Sequence, residues 1–253
     1  MESIAISLFL LLCLSGSASL GYLLRTKLPP EHFTDDARDV LKLAMGLVAT
    51  IAALVLGLLT ASAKSGFDLL TNEVQQGAAK IIQLDRALAR YGPDAKALRD
   101  ELKALITLRL HLNWPEEYQA SGPAKVSENP SVQERFLDHL DSLEPNNNGQ
   151  RDLQLAAVHL WHDLLATRWL AYSQAARPLP TVFLIVMGVW LSVLFAGFGL
   201  LATRNATTAA GLLVCAVVVS TSVFLILEMN RPLGGIIKVS SSPLRYALSQ
   251  LGR

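Results

Sequence analysis

The chain has 253 residues, of which 51% are hydrophobic and 17% are charged, and its 22 basic and 21 acidic side chains give a formal net charge of +1. A soluble domain of ordinary composition is about 25% charged, so this composition is unusually apolar for one. The balanced charge excludes the basic surface that a nucleic-acid-binding protein needs for phosphates.

Four segments contain no Asp, Glu, Lys or Arg and are each bounded directly by a charged residue. They are residues 3–24, 43–63, 178–203 and 205–227. A hydrocarbon core about 30 Å thick is crossed by about 20 apolar residues at about 1.5 Å per residue, so each segment is long enough to span a bilayer. The sequence therefore predicts an all-α integral membrane protein with four transmembrane helices and a helical insert between the second and third.

The predicted domains follow from these segments. They are a first transmembrane hairpin (1–63), a soluble helical insert (64–177), a second transmembrane hairpin (178–227) and a C-terminal tail (228–253). The first segment has an alternative interpretation as a cleaved signal peptide, with an apolar region at 4–14 and small residues at 17–19. Since Glu2 replaces the usual basic start and the apolar run continues to Leu24, we expect the segment to be retained.

The second segment continues into the insert without a helix breaker up to Tyr91. Beyond the membrane, apolar residues recur alternately three and four positions apart, which is the spacing of an a/d seam. The seam consists of Phe67, Leu70, Val74, Gly77, Ile81, Leu84, Leu88 and Tyr91. One helix of about 70 Å is therefore expected from Leu43 to Tyr91. The seam could join copies of the chain, or it could be the buried face of a helix within its own subunit.

Turn signals divide the rest of the chain. Gly92-Pro93 ends the long helix, and further insert helices are predicted over residues 94–113, 131–143 and 149–176. Arg204-Asn205 alone separates the third and fourth segments, which must be antiparallel neighbours. Near the spans, five Lys or Arg residues lie on each side of the membrane, so charge does not set the orientation.

Several blocks of the sequence carry a family resemblance. They are LAMGLVATIAALVLGLLTASAKSGFDLL (43–70), AAKIIQLDRALARYGPDA (78–95), TRWLAY (167–172), FGLLATRNAT (198–207) and LILEMNRPLGGIIKVSSSPL (225–244). Together they resemble the bestrophin-like domain family of bacterial membrane proteins, which is distantly similar to the bestrophins. The resemblance implies four spans, a pentameric anion channel lined by the second span, and a bacterial inner (plasma) membrane location with insert and termini in the cytoplasm.

The second span carries a stripe of small residues. In lipid such a stripe indicates close contact between helices, or else the wall of a pore with hydroxyl groups and a ring of Lys64 that concentrates anions at its mouth. The candidate pore-lining residues are Gly46, Ala49, Thr50, Ala53, Leu56, Gly57, Thr60, Ala63 and Lys64.

A polar motif follows the fourth span: Glu228, Asn230, Arg231 and Pro232. Glu228 and Arg231 are three positions apart and could pair on a helix, while Pro232 has no N–H and blocks helix continuation. The motif is either an interfacial anchor or a gating or ion-binding element.

The sequence gives little support for a metal site or a catalytic site. His159 and His162 share a helical face, but two ligands do not make a metal site. No phosphate-binding loop, nucleophile elbow or zinc-protease motif occurs, so we expect no cofactor, no metal and no enzymatic activity. The sequence favours a homo-oligomeric channel for an inorganic anion such as chloride. The alternative is a membrane-anchored helical scaffold or regulator whose insert binds a protein partner.

Overall fold

The computed structural model describes residues 2–27, 29, 34–115, 130–175, 181–202 and 205–252. Over these residues the protein contains α-helices, one 3₁₀ turn and no strand, and four of the helices are long and apolar enough to cross a membrane. The predicted all-α membrane fold is therefore confirmed. The helices are α1 Glu2–Lys27, α2 Asp35–Tyr91, α3 Lys96–Asn113, α4 Pro130–Asp141, α5 Asn148–Ala175, α6 Thr181–Leu201, α7 Ala206–Met229 and α8 Ser242–Gln250.

The chain divides into two compact units. The first comprises Met1–Ser65, Arg177–Arg231 and Gly235–Ile237, and the second comprises Gly66–Ala176, Pro232–Gly234 and Lys238–Arg253. Helix α2 is continuous over 57 residues and contributes to both units, which confirms the prediction of one long helix beginning in the second span.

Two glycines bring the backbones of α1 and α6 together in the first unit. A Cβ atom at Gly21 of α1 would collide with the carbonyl oxygen of Ala196, and a Cβ atom at Gly199 of α6 would collide with the carbonyl oxygen of Ala18. Small residues at helix contacts are the usual means of close packing in lipid, because hydrophobic burial gives little drive there. The α1–α6 contact therefore depends on a glycine from each helix.

Side chains of all four apolar helices complete the core of the first unit. Its buried members are Leu14, Met45, Ala52, Met187, Leu191, Leu194, Phe195 and Ala216. At the C-terminal end of α6, the Arg25 guanidinium donates hydrogen bonds to the carbonyl oxygens of Leu201 and Ala202. These are among the carbonyl groups that a helix end leaves without an intrahelical partner.

The second unit has a separate core built on α2. Gly92 ends this helix with a φ of 124°, a value that glycine adopts without strain, and Pro93–Ala95 then form the 3₁₀ turn before α3. The predicted break at Gly92-Pro93 is thus confirmed. Residues from α2, α3, α4, α5 and α8 are fully buried in this core, and they include Ile81, Leu102, Phe136, Ala157 and Leu244.

Among the described residues of the second unit, two almost fully buried carboxylates each pair with an arginine. Arg109 Nη2 lies 2.9 Å and 2.8 Å from the two carboxylate oxygens of Glu73, and both residues are under 5% exposed. Arg99 donates to the buried carboxylate of Asp85 through Nε at 2.8 Å and Nη2 at 3.0 Å. The hydrogen bond to Asp85 raises the pKa of the Arg99 guanidinium further above its usual range. Sequence spacing predicted neither pair.

Helix α8 was not predicted from the sequence. Its first turn contains Pro243, and its apolar residues Leu244 and Ala247 are completely buried in the second core. Val239 lies just before α8, and its carbonyl oxygen accepts a 2.7 Å hydrogen bond from Trp114 Nε1. Residues of α8 therefore belong to the core of the second unit.

Candidate pore-lining face

The apolar part of α2 has three distinct faces, and the first of them packs into the first unit. Met45, Ala52 and Ala63 are 7%, 3% and 4% exposed. Their half-buried neighbours on this face are Leu41, Val48, Ala49, Val55, Leu56 and Leu59. This face fixes the rotation of the second span within its unit.

The second face carries mainly small residues and is not covered within the described chain. It consists of Gly46, Thr50, Ala53, Gly57 and Thr60, with Lys64 at its end, and all six are exposed. We call it the small-residue face. A Cβ atom added at Gly46 or at Gly57 would meet no atom within 4 Å. Room therefore exists along this face for another molecule or for an ion path.

The third face is aliphatic and also exposed. Leu43, Leu47, Ile51, Leu54 and Leu58 are between 42% and 75% exposed. Lipid tails are as apolar as leucine, so a face of this composition suits contact with the bilayer. The part of α2 in the first unit therefore exposes two faces of different composition, one aliphatic and one of mainly small residues.

The nine predicted pore-lining residues fall on two of these faces. Six form the small-residue face, whereas Ala49 and Leu56 are half-buried and Ala63 is buried against the subunit's own helices. Sequence spacing could not separate them, because alanine suits both a helix contact and a pore wall.

The threonine hydroxyls of this face are engaged within the helix. Thr50 Oγ1 donates to the carbonyl oxygen of Gly46, and Thr60 Oγ1 donates to that of Leu56, both at 2.8 Å. Each hydroxyl has one proton, so in this arrangement it offers a passing ion an acceptor and no donor. In this arrangement the two hydroxyls therefore offer an anion no hydrogen-bond donor.

Charged residues bound the small-residue face at both ends. At one end, Lys42 Nζ lies 2.8 Å from Asp39 Oδ1, and both side chains are more than half exposed. At the other end is the exposed Lys64. No Asp, Glu, Lys or Arg lies between Lys42 and Lys64, so α2 itself contributes charge only at the two ends of this face.

The a/d seam lies inside the second unit. Leu70, Val74, Ile81, Leu84, Leu88 and Tyr91 are at most 3% exposed, Gly77 is buried, and Phe67 is partly buried against the same core. The seam contacts other helices of the same chain. Its surface is thus occupied within one chain.

The exposed positions of α2 in the second unit have an unusual composition. They are Asn72, Gln75, Gln76, Ala79, Gln83, Arg86 and Arg90. Amides and arginines dominate this set, and no carboxylate belongs to it. These amides and arginines can be seen in the sequence at positions between the seam residues. Polar residues at helical spacing usually indicate only a hydrated surface, so the sequence alone did not single them out.

In the motif after the fourth span, Glu228 holds a loop rather than a neighbouring cation. Its carboxylate is 2% exposed and accepts hydrogen bonds from the backbone N–H groups of Ile236 and Ile237 and from the Ser3 side chain. A Cβ atom at Gly235 would collide with this carboxylate. Glycine therefore lets the loop approach closely.

The predicted pairing of Glu228 with Arg231 is not the one that forms. Helix α7 ends at Met229, and Asn230 follows as its C-cap, so the helical spacing is lost before Arg231. Arg231 pairs with Glu2 at the start of α1 instead. Pro232 lies in the second unit, where its carbonyl oxygen accepts the N–H of Val239 at 2.9 Å.

The predicted pair of histidines lies on the surface of α5. His159 and His162 are exposed on α5. A group of three or more His, Cys, Asp or Glu side chains suited to a metal ion is absent from the part of the chain that the structure describes.

Comparison with known proteins identifies the family. Residues 12–244 match the profile of the Bestrophin-like domain. Neither the curated proteins nor the solved structures contain a significant match. The match covers nearly the whole chain, including α2 and the motif after α7, and the chain therefore belongs to the bestrophin-like domain family.

Proposed function

We propose that the protein is an oligomeric ion channel that conducts small inorganic anions such as chloride along the small-residue face of α2. The family is related to the bestrophin anion channels. The observation that carries the proposal is that Gly46, Thr50, Ala53, Gly57 and Thr60 stay uncovered within the subunit while a separate aliphatic face is available for lipid. Copies of the chain around an axis would bring these small residues together as a narrow apolar wall.

The charges on α2 support a preference for anions. Between Lys42 and Lys64 an ion would meet no carboxylate, and a ring of Lys64 side chains would concentrate anions at one end. In the second unit, the exposed positions of α2 contribute amides together with Arg86 and Arg90. These groups do not repel an anion, whereas a cation would find no acidic partner among them.

The proposal includes a location and an orientation. By analogy with the bestrophins, the protein is a homo-oligomer, specifically a pentamer. By analogy with its family, it resides in a bacterial inner membrane with the insert and termini in the cytoplasm. It carries no cofactor and catalyses no reaction.

Reversal of the charge at Lys64 tests the proposal. A unit charge about 4 Å from an anion in water is worth about 1 kcal/mol. Replacement of Lys64 by Glu therefore changes that energy by about 2 kcal/mol, or about 30-fold in the local concentration of anion. We expect Lys64→Glu to lower the chloride-to-sodium permeability ratio by at least this factor in bilayer recordings of the purified protein, because the same change also favours sodium.

Two control variants make the test specific. Lys103→Glu changes an exposed lysine on α3 and should leave the reversal potential unchanged. Thr60→Val removes a hydroxyl that offers a passing ion only an acceptor, so it should not lower the chloride-to-sodium permeability ratio. An unchanged reversal potential in Lys64→Glu would remove this lysine from the path, and absence of chloride flux from any liposome preparation would refute the channel.

A scaffold function is the second candidate, favoured by exposed apolar side chains on α5. Trp169 and Leu170 are 61% and 58% exposed in the soluble unit. Large exposed aromatic residues are enriched at protein interfaces. If liposomes show no flux and Trp169→Ala abolishes capture of a defined partner protein, this function replaces the channel.

A further inference from the structure

An open groove lies beside α1 in the first unit, and no residue of the small-residue face lines it. Residues of α1, of the end of α6 and of the start of α7 enclose a volume of about 660 Å³. Ser15, Ser19 and Tyr22 line it from α1, and Asn205 and Ala209 line it from the opposite side. We call it the α1–α7 groove.

The surroundings of the groove are those of a lipid-facing surface. The helices that form it are three of the four candidate membrane spans. Leu23 and Leu213 line the groove and are 55% and 54% exposed, and the adjacent Leu20 is 57% exposed. Its volume lies within the range of about 300–1,000 Å³ typical of small-molecule sites. An apolar volume of this size loses dispersion contacts if it stays empty, so a hydrocarbon chain is a fitting occupant.

Positive charge lies at one end of the groove. Arg25 and Lys27 are in the last turn of α1, directly after the groove residues Tyr22 and Leu23. The Arg25 guanidinium is held there by its hydrogen bond to the carbonyl oxygen of Ala202, which also lines the groove. The end of α1 thus supplies the charge that an anionic headgroup requires.

We propose that the α1–α7 groove binds one acyl chain of an anionic phospholipid, whose phosphate pairs with the basic end of α1. The hydroxyl groups of Ser15, Ser19 and Tyr22 give the otherwise apolar groove a polar side that suits the ester region of the lipid. This site is separate from the proposed ion path, and its occupancy does not depend on conduction.

Filling of the groove tests this site in the full-length protein. Ala209→Leu places a larger side chain in the groove, whereas the matched variant Ala210→Leu changes a neighbouring exposed position that does not line it. After delipidation in detergent, phosphatidylglycerol is titrated while thermal unfolding and native mass are recorded. We expect Ala209→Leu to raise the half-saturating lipid concentration at least tenfold and Ala210→Leu to leave it unchanged.

A variant at the basic end of α1 separates the contribution of charge to lipid affinity from that of the hydrocarbon contact. Lys27→Gln should weaken the binding of phosphatidylglycerol several-fold and that of phosphatidylcholine less, because the choline cation already offsets the charge of the phosphate. Equal lipid affinity of Ala209→Leu and Ala210→Leu would overturn the proposal. It would also be overturned if Ala209→Leu altered the oligomeric mass without altering lipid affinity, because the groove would then be a contact between subunits. Ala206→Leu, at another exposed groove residue, repeats the test if Ala209→Leu does not fold.

Discussion

The buried pair of Glu73 and Arg109 allows a quantitative prediction for the second unit. The guanidinium has five N–H donors, and the two on Nη2 bond the carboxylate. Its Nε and Nη1 atoms are buried and find no acceptor among the residues that the structure describes. A buried donor without an acceptor costs about 1–3 kcal/mol, so the pair is a poor source of net stability.

Removal of one partner should nevertheless be severe. Arg109→Ala leaves a carboxylate that is 3% exposed without its cation, and breaking such a pair costs about 3–5 kcal/mol. At about 2–4 °C per kcal/mol for a chain of this size, the midpoint of thermal unfolding should fall by about 6–20 °C. The loss of helical circular dichroism on heating the detergent-solubilised protein measures this change.

Replacement of both partners should reverse the loss. Glu73→Leu combined with Arg109→Met keeps a similar volume without a buried charge, and such replacements are neutral or stabilise by about 1–4 kcal/mol. The reasoning is refuted if the double variant unfolds as early as Arg109→Ala. It is equally refuted if Arg109→Ala unfolds within about 2 °C of the unmodified protein.

Two further predictions concern glycines. Gly21→Ala should destabilise the protein by about 1–3 kcal/mol or more, because its Cβ meets the backbone of α6. Gly16→Ala on the same helix meets nothing and should not lower the unfolding temperature. Equal unfolding temperatures of the two variants would contradict the described helix contact. Gly77→Ala should stabilise the protein by about 1 kcal/mol, since its Cβ would lie 3.6 Å from Glu73 Oε1 and alanine is the better helix former. A lower unfolding temperature for Gly77→Ala would indicate that the surrounding charge pair cannot accept the methyl group.

The helices were predictable because their signals are local and periodic. The charge-free segments, the seam from Phe67 to Tyr91 and the Gly92-Pro93 break each report on consecutive turns of one helix. Helix α8 escaped prediction because it has nine residues, too few for a clear period, and because it begins at the last of three consecutive serines. Its stability comes from burial of Leu244 and Ala247 against residues far away in the sequence.

The candidate site was only partly predictable, because long-range partners are invisible to spacing. The stripe of small residues on the second span could be read from the sequence. Which of its members face their own subunit, as Ala63 does, depends on how α2 is rotated against the other spans. In the same way, the spacing of Glu228 and Arg231 suggested that they pair with each other. Instead, Glu228 accepts a hydrogen bond from the N–H of Ile236, and Arg231 pairs with Glu2.

The anchorage of Glu228 has a mechanical consequence. The carboxylate joins the last turn of the fourth span to the first turn of the first span through Ser3, and to the loop at Ile236 and Ile237. A hydrogen bond to a charged group is worth about 1.5–3 kcal/mol, and a solvent-free carboxylate has no water to replace it. A sliding or twisting motion of either span alone would break this junction, so the two helix ends are constrained to move as one rigid piece.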